Sequence, residues 1–168
     1  TFRTLKYDSD YQVFSTIVLE FPEEGVDCLE SMKELASLVK LHPMKNLIIA
    51  LSKKSEKTMD NLSLIFEAIP LSKTLKNFCV IRQFSESNFS NPESIHKIIC
   101  SISRSKLISL GLINFTFSST DRLRLFESIS LHTKITLVGY QGYKTNENDI
   151  EEISNILAKS KYLRCLII

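Results

Sequence analysis

The sequence predicts an α/β solenoid: a tandem array of strand–helix units, one parallel sheet on one side and helices on the other. Three observations carry this. A short apolar phrase recurs at a nearly constant spacing, the stretches between its copies change to helical periodicity at shared offsets, and capping residues bracket those stretches.

The phrase is an apolar residue, two free positions, an apolar residue, one free position and a third apolar residue. It reads Phe14-Ile17-Leu19, Met44-Leu47-Ile49, Leu75-Phe78-Val80, Leu107-Leu110-Leu112, Ile135-Val138-Tyr140 and Leu163-Leu166-Ile168. First members are 30, 31, 32, 28 and 28 residues apart. The last four positions alternate with a period of two, as in a strand with one buried face. Five repeats follow, near 14–43, 44–74, 75–106, 107–134 and 135–162, closed by a strand at 163–168. The whole of 1–168 is expected to be a single domain and, from its ends, a segment of a longer protein with flanking domains.

Between strands, Leu29, Met32, Leu35, Leu38 and Val39 share one helix face. Met59, Leu62, Ile65, Phe66 and Ile69 do the same, as do Ile150, Ile153, Ile156 and Leu157. In those three units apolar residues fall 15, 18 and 21 positions after the phrase begins. The fourth unit (Leu123, Phe126, Ile129) runs one residue later. The third (Ile95, Ile98, Ile99, Ile102) runs five later, which implies an insertion near Gln83–Ser90. Asn91-Pro92-Glu93, Ser119 or Thr120 with Asp121, and Asn146 to Asp149 read as helix starts. Ser72-Lys73, Ser105-Lys106, Thr133-Lys134 and Ser160-Lys161 read as exits, each lysine beside a negative helix end.

A unit of this length with Leu-x-x-Leu-x-Leu on its strand resembles the leucine-rich-repeat family, in its longer, ribonuclease-inhibitor-like form. The resemblance runs from about Val13 to Ile168 and is degenerate. Where many members carry Asn or Cys at the ninth position, this chain has Pro22, Ser52, Gln83, Phe115 and Tyr143. The resemblance implies parallel strands on a concave face, helices on the convex face and recognition of another protein. It also admits the recognition domain of an immune sensor, a ubiquitin-ligase receptor or a bacterial effector. The alternative is a doubly wound α/β domain that binds a small ligand or nucleotide. Strands such as Leu47-Ile48-Ile49 suit it, whereas four glycines and no glycine-rich loop do not.

The formal net charge of +2 gives no overall basic field for nucleic acid or an anionic membrane, and no apolar run has the length of a membrane span. Cys28, Cys79, Cys100 and Cys165 form no CxxC pair and read as free buried thiols of a reducing compartment. The expected location is therefore intracellular, the cytoplasm, or host cytoplasm for an effector. The sequons at Asn61, Asn88 and Asn114 are not read as glycosylation sites.

No nucleophile–base or metal-ligand spacing stands out, so neither catalysis nor a cofactor is expected. His42 and His132 fall at helix exits, where the dipole explains them. His96 reads as solvated, and Asp149, Glu151 and Glu152 as dipole partners at a helix start. The binding face is expected from side chains that alternate with the buried phrase. At its fifth position stand Ile48, Cys79, Gly111 and Gly139, and at its seventh Glu20, Ala50, Ile81, Ile113 and Gln141. These are small and apolar, with Glu20 and Gln141 toward the ends. Equally, another part of a longer chain covers this face, or the register is one residue off. A second candidate contact is Phe84 and Phe89 in the insertion.

Overall fold

The computed structural model describes residues 2–8, 13–21, 29–51, 56–82, 92–115, 117–142 and 147–168; side chains are described from Leu29 on, save 56–60. The chain is α/β. Strands β1 (Phe2–Asp8), β2 (Val13–Phe21), β3 (Met44–Leu51), β4 (Asn77–Arg82), β5 (Ser109–Phe115), β6 (Leu137–Gly142) and β7 (Cys165–Ile167) form one sheet in chain order. The β1–β2 pair is antiparallel and every later pair is parallel.

Helices α1 (Leu29–Leu41), α2 (Glu56–Ala68), α3 (Pro92–Arg104), α4 (Ser119–Ser130) and α5 (Glu147–Leu157) fill the crossovers, and a single 3-10 turn, Ile69–Leu71, extends α2. Pro70 lies in the first positions of that turn, where a missing N–H costs nothing. Consecutive helices pack on one another, so they make one layer.

Residues that share a phrase position in the sequence are neighbours in the sheet. Leu47 pairs with Phe78, Phe78 with Leu110, Leu110 with Val138 and Val138 with Leu166. The core is the seam between this row, the row of Ile49, Val80, Leu112 and Tyr140, and the apolar helix faces. Met32, Val39, Leu62, Ile65, Phe66, Leu125 and Phe126 are fully buried there. Burying one such side chain stabilises the fold by about 1.5–3 kcal/mol. Edge-on aromatic pairs tie helix to following strand: Phe66 on Phe78, and Phe126 on Tyr140, both with centroids 5.1 Å apart.

Four of the five helix exits share a device that the lysines only partly explain. Ser72 Oγ accepts from the Leu75 N–H at 3.2 Å, Ser105 Oγ from Leu107 at 3.4 Å and Ser160 Oγ from Leu163 at 3.2 Å. In the fourth His132 takes the same post, its Nδ1 accepting from the N–H groups of Lys134 and Ile135. Each side chain thus satisfies backbone donors at the approach to the next strand. Past the exits the lysines Lys73, Lys106, Lys134 and Lys161 are exposed.

Several expectations need correction. β1 has no counterpart in the repeat reading, although Leu5 and Tyr7 alternate with Lys6 and Asp8 as an edge strand would. The N-cap of α4 is Ser118, one residue before the expected pair; its Oγ accepts from the Asp121 N–H at 3.1 Å and donates to the Asp121 carboxylate. Ile150 is exposed rather than buried, because α5 has no helix on its far side among the described residues. The insertion near 83–90 and the helix-start residues Asn91 and Asn146 lie outside the described residues.

Candidate functional site

The sheet face turned away from the helices carries the side chains that alternate with the core rows. Ile48 pairs with Cys79, Cys79 with Gly111 and Gly111 with Gly139, forming one row across four strands. Ala50, Ile81, Ile113 and Gln141 form the next. Most of the expected contact residues therefore come together. Ile48, Ala50, Cys79, Ile81 and Ile113 are half-buried, Gln141 is exposed, and the two glycines are buried by their neighbours. Glu20 pairs in register with Ala50, but its side chain, like Phe84 and Phe89, lies outside the described residues.

Below these rows the face turns polar. Asn77 Nδ2 donates to Asn46 Oδ1 at 2.5 Å across the β3–β4 pair, and Ser109 continues the row. The row then changes to Leu137, 36% exposed, and Cys165, also exposed. Burial pushes the Cys79 thiol above its usual range, so it stays protonated at neutral pH. None of Cys79, Cys100 and Cys165 is paired, but Cys165 is exposed and the other two only half-buried, so the expectation of buried thiols fails. Cys28 lies outside the described residues.

Gly111 is fixed by packing on this face. A Cβ there would stand 2.6 Å from Cys79 Sγ and 3.2 Å from Cys79 Cβ. The thiol thus leans over the glycine and closes the floor of the row. At Gly139 a Cβ would meet nothing nearer than Ile113 Cδ1 at 3.9 Å.

Two polar groups beyond the core rows, half-buried Asn114 and buried Arg82, escaped the sequence reading. Asn114 sits in left-handed backbone at φ 62° and donates its Nδ2–H to the Arg82 carbonyl at 2.6 Å. That kink shifts the β5–β6 register between Ile113 and Phe115 and turns Phe115 into the core. Arg82 is buried on the same side, its guanidinium 5.9 Å from the Phe115 ring centre, and desolvation pulls its pKa down.

Asp149, expected as a solvated dipole partner, instead pairs with Arg122 of α4, an ion pair with both side chains largely shielded. Glu151 and Glu152 remain exposed. His132, expected as a helix-exit residue near the dipole, is buried and neutral. Its Nδ1 is an acceptor, which leaves the proton on Nε2, 3.1 Å from the Ser105 carbonyl. Burial is the main cause of its lowered pKa. Exposed His96 brings Nε2 within 3.4 Å of Cys100 Sγ, one turn along α3. His42 is exposed as well.

No group of three His, Cys, Asp or Glu among the described residues is placed to hold a metal ion, and no described helix is long and apolar enough to cross a membrane. Surface hollows lie on the helical side, one along α1 at Lys33, Leu38 and Leu41 and one between α4 and α5 at Glu127, Asn148 and Lys159.

The sequence matches no protein-family model and no curated protein. Solved structures do match. One is described as "Leiomodin-1 Actin-Binding Site 2 (ABS2)", with a TM-score of 0.52 and 10% identity, over 84% of this chain and 79% of that one. The likeness is one of fold.

Proposed function

We propose that this chain is a non-catalytic protein-interaction module, a leucine-rich-repeat-type solenoid that works inside a cell and recognises its partner with the open sheet face. The carrying observation is that face itself: Ile48, Ala50, Cys79, Ile81 and Ile113 lie in adjacent register, half-buried and uncharged. Apolar surface of this kind on an ordered sheet is what partner proteins cover. Strands in chain order and helices in a single layer support the solenoid over a doubly wound domain, whose ligand crevice lies where strand order reverses. The neighbour in fold is named for an actin-binding site, which is consistent with a protein partner and makes actin the first defined probe.

The test is affinity capture from cytosol, with actin co-sedimentation beside it, comparing the parent chain with Ile48→Glu plus Ile81→Glu. Circular dichroism and melting establish that the variant is folded. The reading expects specific proteins on the parent and their loss from the folded variant. Equal retention by both would sink the sheet face as the recognition site.

A further inference from the structure

The five connections from a helix to the next strand, residues 38–47, 68–78, 100–110, 128–138 and 157–168, contain none of the chain's 19 acidic residues. Every charged side chain in them is a lysine or arginine, or a histidine when protonated. Backbone hydrogen bonds join the connections directly. Lys76 N–H donates to the Lys45 carbonyl at 2.9 Å, Ile108 to Lys76 at 2.7 Å, Thr136 to Ile108 at 2.9 Å and Arg164 to Thr136 at 2.8 Å. They form one continuous edge, roughly 20 Å along the strand spacing.

Lys73, Lys106, Lys134, Lys161 and Arg164 are exposed on this edge and Lys76 is half-buried. No described carboxylate pairs with any of the six, since the described ion pairs join other residues. The nearest acids along the chain are Glu67, which is held by Lys97 at 3.5 Å, and Glu127, a turn inside α4. The same edge carries the most exposed large apolar side chains of the described chain: Leu41 at 77%, Leu71 at 61% and Leu131 at 81%. Each closes a helix, so each projects at a helix end.

Helix dipoles favour cations in the last turn. They do not explain cations beyond it, at the strand approaches (Lys76, Arg164), nor the protruding leucines. Isolated leucines among lysines along one edge suit an anionic lipid surface: lysines read the charge, and leucines enter the headgroup boundary. A nucleic acid would have no use for the leucines, and a protein pocket would favour a contiguous apolar patch over separated side chains.

We propose that this edge docks the molecule on an anionic phospholipid surface, peripherally and without spanning it. The proposal goes beyond the sheet-face reading and uses none of its residues.

The test is co-sedimentation of the full chain with phosphatidylcholine vesicles, with and without phosphatidylserine. Expected is binding to the phosphatidylserine vesicles alone, released by salt as the charges are screened. Each cation near such a surface is worth about a fivefold change in partitioning. The triple variant Lys73→Gln, Lys106→Gln, Lys134→Gln should therefore bind about a hundredfold more weakly. Leu71→Ser with Leu131→Ser should weaken binding and leave its salt dependence intact. All five positions are exposed, and melting curves verify folding. Failure to sediment in dilute salt, or equal binding by the folded triple variant, would overturn the proposal. So would retention on polyglutamate without vesicle binding, which would point to an acidic protein face. Ile48→Glu with Ile81→Glu should leave vesicle binding unchanged, so failure here and failure of the sheet-face reading are separable.

Discussion

Gly111 and Gly139 are neighbours in one row, yet they carry different constraints. At Gly111 an alanine methyl would overlap the Cys79 sulfur, so Gly111→Ala should destabilise by about 1–3 kcal/mol through overpacking. Cys79→Ala in the same chain should restore most of that loss. Gly139→Ala meets only ordinary contacts and should be neutral or stabilising by up to about 1 kcal/mol. Urea unfolding of the three variants decides this, and equal costs at the two glycines would show the Cys79 contact to be unimportant. His132 gives a pH signature. Its folded pKa is lowered chiefly by burial, so the unfolded chain takes up protons more readily as pH falls. The His132 contribution is complete above the ordinary value of 6.5 and declines below it. Melting temperature should therefore fall between about pH 7 and 5.5, and His132→Ser, which installs the residue of three other exits, should flatten that slope. A parent chain with no slope in this window would contradict the neutral, buried imidazole. None of this was legible from residue types: a histidine at a helix exit reads as a dipole partner until burial and its two N–H donors are seen.

The helix-to-strand turn is the recurring element that the sequence displayed without explaining. Serines at 72, 105 and 160 were visible as exit residues, but their role as acceptors for the next strand's N–H groups depends on side-chain direction. Ser72 is 2% exposed, so Ser72→Ala leaves the Leu75 N–H without a partner in the interior and should cost about 1–2 kcal/mol. Ser160→Ala, in a less buried turn, should cost less. Chemical denaturation of the pair tests the order, and the reverse order would assign the stabilisation elsewhere. Strand and helix positions were legible because their apolar periods, two and 3.6, are written directly in the phrase and the offsets. β1 was not, because a single hairpin strand outside the repeat has no second copy to align with. The α4 cap was displaced by one because Ser118, Ser119 and Thr120 are chemically interchangeable as caps until geometry selects one. At Asn114 the left-handed backbone was hidden because nothing in the alternating pattern of β5 marks a kink.

For the molecule as a whole, stability should be graded rather than uniform. Units in the middle are covered by neighbours on both sides, and Leu47, Phe78 and Leu110 are buried to within 1%. At the far end Leu163 and Leu166 are half-buried and Ile167 is 60% exposed. Hydrogen exchange should find the slowest amides in β3 to β5 and the fastest in α5 and β7, as nearest-neighbour packing requires. Uniform protection would argue against stacked, locally coupled units. The candidate sheet face was legible because the phrase fixes which residues alternate with the core. The basic edge was not, because a formal charge of +2 averages a cationic border with acids placed elsewhere. The in-register pairing across β2 to β7 has one more consequence, which concerns length. In the solenoid proposed above, adding or removing a whole unit would leave the remaining inward-facing residues inward. A single residue inserted within a strand exchanges its two faces and puts the core row into solvent. For the solenoid proposed above, whole units are therefore the quantum in which the chain can grow or shrink.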